Sequence, residues 1–450
     1  MTTGEGSIRQ WRIAATAFLL SIATMLAAEP LPDPLSLEDA LRLAGADHPS
    51  IALSRARLAR LQAEARRTAA RDEIDIGATL EARVIDPPSS SDNQSNNDSR
   101  ATLFARKRLY DFGHTRALEE AAAASVTGGE LLADADRQRH RIAIMQAFFD
   151  VLLADLEFTR DNEAMAVAYV QADRSRDRNE LGQVSDSILL QQESIYQEYR
   201  MRRTRSQARQ RSTRALLAQL LDRPDQLPSN LLLPELTGNS QPLPEYQQLI
   251  ELTLSANPEM LALRSELEAA RLQVRAQRTG KRPVLTGSLQ AAANERNVGS
   301  RNPLEAELRL EIPLYDGNRV DAEVARAQAD VYRLAAELRQ LEYELRQRVL
   351  EVWLDIQTLL AQQQQVDIFT QSRELDFDRA QAEYELELKT DFGDALVGQS
   401  ESALLRAQTE FGLALDWARL TALTGEPFSP YIEARLSPPH GNSNHDALPR

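Results

Sequence analysis

The chain has 450 residues, with 52 basic and 67 acidic side chains, a formal net charge of −15, five histidines and no cysteine. That acidity argues against nucleic acid as a partner, because phosphate binding needs a basic surface. The missing cysteines exclude a disulfide scaffold, a thiolate metal site, a cysteine nucleophile and a lipid-modified cysteine. Aromatic residues make up 5%, thin for a compact core and in keeping with long helices.

Residues 1–28 stand apart. Arg9 and Arg12 precede an apolar run from Ile13 to Ala28 that ends in small residues. This pattern predicts a secretory signal peptide cut near Ala28, since the run is short for a spanning helix. The remainder divides into two similar units. Leu37-Glu38-Asp39-Ala40-Leu41 followed by His48-Pro49 is echoed by Leu249-Ile250-Glu251-Leu252 followed by Asn257-Pro258. The predicted organisation is a first repeat over 29–222, a Pro-rich linker over 223–245, a second repeat over 246–425 and a flexible tail over 426–450.

In chain order, helices are expected over 37–70 and 246–279, each broken where proline disfavours α geometry in the residue before it, at His48-Pro49 and Asn257-Pro258. Each helical pair leads into a segment of period two. Strands are expected at about 73–85, 100–110, 283–293 and 304–314, where apolar and polar residues alternate. Ile74, Ile76, Ala78, Leu80, Ala82 and Val84 form one side of the first, while Phe104 and Lys107 break the alternation in the second. Segments of about ten residues suffice to cross a bilayer when tilted. Very long helices follow. One tract runs from Gly113 to about Asp222 with a turn at 181–185. Another runs from Asn318 to about Leu388 without glycine or proline, a rod of roughly 100 Å that must pack along other long helices. A final helix is expected from Asp391 to about Thr424.

Four strands cannot close a membrane barrel, and open edges in lipid would leave backbone groups unpaired. If the strands span, several chains must share one barrel. Two chains supply eight strands and three supply twelve; a water-filled conduit favours three. The expected class is therefore a mixed α+β membrane protein, mostly long α-helical hairpins, with four transmembrane β-strands per chain.

The ordered motifs Leu35-Ser36-Leu37-Glu38-Asp39-Ala40-Leu41, His48-Pro49, Asn257-Pro258, Leu109-Tyr110-Asp111-Phe112-Gly113 and Pro313-Leu314-Tyr315-Asp316-Gly317 resemble those of the TolC family of outer-membrane efflux proteins. The resemblance covers about Leu35 to Glu426. It implies a homotrimer with a shared 12-stranded β-barrel in the outer membrane and a periplasmic α-barrel. Its implied partners are a periplasmic adaptor (membrane fusion) protein, an inner-membrane transporter and outer-membrane lipid, in efflux or type I secretion. It also implies a periplasmic constriction at Asp394, with Asp391 beside it, and strand-to-helix junctions at Tyr110, Asp111 and Gly113 and at Pro313, Tyr315, Asp316 and Gly317. Leu388 stands where the family usually has glycine, and Arg108 stands where the second repeat has Pro313.

No phosphate loop, dinucleotide turn or HExxH motif occurs. His114 and His140 have no second histidine at helical ligand spacing and read as solvated helix residues. No enzyme activity, cofactor or metal is expected. Gln362 to Gln365 read as a polar helix face that lines a tunnel, and the Arg200–Arg205 run as a solvated face. The alternative from another class is a soluble periplasmic coiled-coil adaptor or scaffold.

Overall fold

The structure is a computed structural model that describes residues 31–43, 48–91, 93–296, 302–386 and 392–426. The signal segment, the tail beyond Glu426 and Asp391 lie outside the described residues. Eight α-helices and four strands are described. The short α1 (Leu37–Leu43) and α2 (Pro49–Ala69) precede β1 (Asp75–Glu81) and β2 (Arg100–Tyr110). The hairpin of α3 (His114–Glu180) and α4 (Asp186–Leu220) completes the first unit. The second unit repeats this order with α5 (Tyr246–Ala256), α6 (Pro258–Arg278), β3 (Val284–Asn294), β4 (Leu304–Glu311), α7 (Arg319–Glu385) and α8 (Gly393–Thr424).

Both helix breaks fall at the prolines. His48 and Asn257 adopt extended ψ values of 135° and 127°. Each then caps the helix it precedes: His48 Nδ1 accepts from Ser50 N at 3.3 Å and Asn257 Oδ1 from Met260 N at 3.1 Å. α3 and α7 have 67 residues each, about 100 Å at 1.5 Å per residue.

The strands form one antiparallel sheet in the order β1-β2-β3-β4, so the two repeats join through β2 and β3. Each strand adjoins one helix of a row in the same order. α2 leads to β1, β2 to α3, α6 to β3 and β4 to α7, and α2 touches α3, α3 touches α6, and α6 touches α7. Farther from the sheet, α4 and α8 take the places of α2 and α6 beside α3 and α7. The replacement is a stacking of helix ends. Asn257 Nδ2 donates to Leu423 O at 3.0 Å, and the left-handed Gly425 lies so near the Ala256 carbonyl that a Cβ would collide with it.

The close packing of this row depends on small residues. A Cβ on Gly128 would lie 3.1 Å from Ala262 O, and one on Gly129 would lie 2.6 Å from Leu61 Cδ1, so the pair lets α3 pass between α6 and α2. Two apolar clusters hold the middle of the row. One joins α1, α3, α4 and α8 through Leu37, Leu41, Ile144, Phe148, Leu217 and Phe411. The other places Leu249 and Ile250 of α5 against Val349, Ile356, Leu413 and Trp417. Residues 223–245 are anchored along their length. Leu35 pairs with Leu231, Arg214 is held by Asp155 at 2.8 Å and by Pro228 O, and Asn239 Nδ2 donates to Glu410 O at 2.9 Å.

Two strands are shorter than the alternation predicts. β1 covers 75–81, and Val84 makes only an isolated bridge to Asn97. β4 stops at Glu311; Pro313 has no N–H for the ladder. β2, with Arg108 at the matching position, continues to Tyr110 through a bulge at Leu109.

Candidate functional site

The register sorts every strand residue onto one of two faces. Ile76 lies opposite Ala105, which faces Leu289, which faces Ala306. Ala78, Leu103, Ala291 and Leu304 form the next row. Among the described residues nothing packs over this apolar face: Ile76 is 68% exposed, Leu80 83% and Leu308 74%. The other face carries Asp75, Arg106, Ser288 and Glu307 in one row and Glu81, Arg100 and Asn294 in another. An uncovered apolar face backed by a charged one suits a sheet with lipid on one side and water on the other. Phe104 belongs to the polar face, where its ring occupies the space a Cβ on Gly77 would need, and Arg106 sits 4.8 Å from its centroid. Lys107 falls on the apolar face near the helical end, between Gly287 and the bulge at Leu109. The outer edges of β1 and β4 carry no further strand among the described residues.

The two strand-to-helix junctions are built alike, 205 residues apart. Asp111 accepts from Gly113 N at 3.1 Å and Thr115 N at 2.8 Å; Asp316 accepts from Asn318 N at 3.1 Å and Val320 N at 3.0 Å. Each carboxylate thus caps the first turn of a very long helix. In both, two consecutive residues are left-handed: Phe112 and Gly113 (φ 55° and 84°) and Gly317 and Asn318 (φ 65° and 66°). The glycine occupies the second of these places in one repeat and the first in the other. Matching Gly113 to Gly317 by sequence therefore hides the role of Asn318 and of the strained Phe112. Arg108 donates to Asp111 at 3.5 Å and Thr115 Oγ1 at 3.2 Å, tying the first junction where the second has Pro313. Tyr110 pairs with Leu285 on the apolar side and is 58% exposed; Tyr315, after β4, is 86% exposed.

Burial pushes the Asp111 carboxyl up, but hydrogen bonds from Thr115 and the nearby Arg108 outweigh it and hold the group below the usual carboxylate range. Asp316 is also lowered, chiefly by the Val320 backbone N–H.

At the far end of the row, the first hairpin turns at 181–185 with Gly182 left-handed (φ 69°), and Asn179 Nδ2 fastens the turn to Val184 O and to Asp186 Oδ1 at 2.9 Å. In the second hairpin, Asp394 is exposed in the first turn of α8, where a carboxylate suits the helix dipole. Phe392 just before it packs against Tyr384 and Phe377, with centroids 5.0 and 6.2 Å away.

Histidine placement differs from the solvated reading. His140 is 6% exposed and its ring stacks on His48, 4.2 Å away. His114 Nδ1 lies 2.9 Å from Ala276 O and 3.0 Å from Thr279 Oγ1. The partners come from other elements, which helical spacing within one segment cannot reveal. The Arg200–Arg205 run is solvated except where Arg203 lies over the Phe158 ring at 5.3 Å.

One further surface was not visible as a pattern of polar residues. Tyr332, Tyr343, Leu354, Ile368, Leu375 and Leu386, on α7 and its C-cap, are each between 46% and 75% exposed. Their spacings are 11, 11, 14, 7 and 11 residues, which at about 100° per residue keeps all six within about 60° of the helix surface. The stripe lies away from the helices that α7 touches, on the free flank of the row.

Residues 249–425 match the family model for outer membrane efflux proteins. The match falls on the second repeat. A comparison with curated protein sequences finds no match. The fold is similar to that of three solved outer-membrane proteins. VceC of Vibrio cholerae is 19% identical, with 87% of this chain and 97% of that one covered and a TM-score of 0.66. CmeC of Campylobacter jejuni is 13% identical, with 89% and 88% covered and a TM-score of 0.70. The open-state MtrE channel of Neisseria gonorrhoeae is 14% identical, with 87% and 89% covered and a TM-score of 0.67. Among the described residues no helix is long and apolar enough to cross a membrane.

Proposed function

We propose that three copies of the chain form a passive conduit: twelve strands close a barrel in the outer membrane, and the helical rows continue it across the periplasm. The observation that carries this reading is the four-stranded sheet with one uncovered apolar face, a charged reverse face and two open edges. An edge exposed to lipid would strand backbone groups at several kcal/mol each, so each edge calls for a strand from another copy. The apolar stripe on the free flank of α7 supports the same arrangement below the membrane, because it would be covered by a neighbouring row.

In that assembly the polar sheet face and Gln362 and Gln365 would line the passage. Asp394, with Asp391 beside it, would form a ring of carboxylates at the periplasmic mouth, attracting cations and repelling anions. A periplasmic adaptor and an inner-membrane transporter would dock at this end. The transporter would supply the energy and select the cargo, and no catalytic step belongs to the chain. The test is a planar-bilayer recording of the purified protein. It is expected to form a water-filled, cation-preferring channel, and Asp394→Ala is expected to reduce that preference. Unchanged selectivity and conductance in Asp394→Ala would remove Asp394 from the constriction. A protein that washes off membranes in carbonate as a monomer would overturn the conduit and favour a soluble adaptor.

A further inference from the structure

Beneath the sheet, between the start of α3 and the end of α6, lies an open cavity of about 660 Å³. Five arginines line it: Arg116 from α3 and Arg271, Arg275, Arg278 and Arg282 from α6 and the segment after it. The only acidic lining residue is Glu120, which is engaged by Arg116 at 3.0 Å and Arg275 at 3.6 Å. Arg271 pairs with Glu268 at 3.5 Å, outside the lining. Arg278 and Arg282 carry no ion pair among the described residues. Five guanidinium groups against one carboxylate is the reverse of the chain's overall balance of −15.

The cavity's place gives the charge a meaning. Tyr110 stands at the helical end of the apolar sheet face, and its ring meets that of Phe112 edge-on at 4.7 Å. Phe112 lines the cavity, with Arg282 at 6.0 Å from its centroid. The basic cavity therefore opens directly below the apolar face, at the level where a bilayer's headgroups begin. Arginine is suited to phosphate because its planar fork binds two oxygens at once, and the positive end of α3 begins at the cavity wall.

We infer that this cavity binds a phosphate-bearing anion, with the headgroup of an anionic phospholipid of the periplasmic leaflet as its source. The inference rests on the proposed orientation of the sheet. Its test, however, uses soluble short-chain lipid and full-length protein in detergent, so that its failure is separate from a failure to form channels.

The probes for calorimetric titration are dihexanoylphosphatidylglycerol, dihexanoylphosphatidylcholine and inorganic phosphate. The phosphatidylglycerol is expected to bind at least tenfold tighter than the zwitterionic lipid. Arg278→Gln with Arg282→Gln should weaken it about 25-fold, about fivefold for each arginine removed. Arg278→Lys with Arg282→Lys keeps the charge without the planar fork and should recover part of the loss, which separates lost charge from lost folding. Inorganic phosphate binding as tightly as the lipid, and equally dependent on the two arginines, would uphold the anion site and assign it to a soluble ligand. Equal binding of the two lipids, or no effect of the double glutamine variant, would overturn the inference even if channels form normally.

Discussion

Asp111→Ala probes how a strand is converted into a helix of about 100 Å. The carboxylate accepts from Gly113 N at 3.1 Å, Thr115 N at 2.8 Å and Thr115 Oγ1 at 2.6 Å, and its side chain is 11% exposed. Alanine leaves two backbone donors and a hydroxyl without their acceptor and Arg108 without its carboxylate. A lost helix cap costs about 1–2 kcal/mol, and bonds to a charged group in a largely covered site raise that to about 2–3 kcal/mol. Hydrogen exchange followed by mass spectrometry reads this locally. Protection of amides 113–118 should fall about 30- to 150-fold at pH 7, since each 1.4 kcal/mol is a factor of ten. Asp111→Asn retains an acceptor and should lose about tenfold. The pH dependence adds a constraint. The native carboxyl titrates below its unfolded value of about 3.9, so its contribution is complete above that pH and fades as pH falls through the native value. The gap between wild type and Asp111→Ala should be constant from pH 7 to pH 5 and shrink below about pH 4. Unchanged protection at pH 7, or a gap that persists in acid, would refute the capping argument.

Burial raises the carboxyl of Asp150 on α3, with only partial relief from Arg209, which also pairs with Glu157 at 3.0 Å. A raised native value stabilises below the unfolded value and loses that benefit as pH rises through the native one. Asp150→Asn should therefore match or exceed wild type in thermal midpoint at pH 7 and gain nothing at pH 4. Gly77→Val should cost about 1–3 kcal/mol by overpacking against the Phe104 ring, and Phe104→Ala should restore most of it in a double-mutant cycle of denaturation midpoints. Tyr332→Asp combined with Tyr343→Asp places charge on the α7 stripe and should shift mild-detergent light scattering from trimer toward monomer while helicity is retained; an unchanged mass would remove the stripe from the interface.

The long-range plan was legible because it obeys simple periods. Alternation located all four strands, glycine- and proline-free length located α7, and two X-Pro steps located the caps of α2 and α6. Strand ends were less legible, because alternation persists past the point where the ladder stops: Val84 and Ile312 continue the pattern, yet only short bridges or none accompany them. Contacts between distant segments left no local signature. The pair Gly128-Gly129 reads as a weakness inside a helix, and only the neighbouring Ala262 and Leu61 show why it is needed. Asp394 lies in the first turn of α8, while the arginines of the basic cavity were unreadable because they come together from two elements more than 150 residues apart.

The junctions show what duplication preserves. Two repeats keep a carboxylate, a left-handed pair and a helix start at a fixed offset, but they differ in which residue relieves the backbone strain. Asn318 is tolerable in a left-handed conformation because its short polar side chain costs little there. Phe112 is not, and a bulky residue at φ 55° must be held by its surroundings. Its ring supplies two such contacts, with Tyr110 at the apolar sheet face and with Arg282 over the basic cavity. The second repeat has Gly317 at this position and no ring to offer. The strain at Phe112 is thus tied to a contact between the apolar sheet face and the cavity that is built in one repeat alone, so Phe112→Gly should relax the backbone yet weaken phosphatidylglycerol binding. A variant that binds the lipid as wild type does would sever that link and leave the left-handed phenylalanine without a role at the cavity.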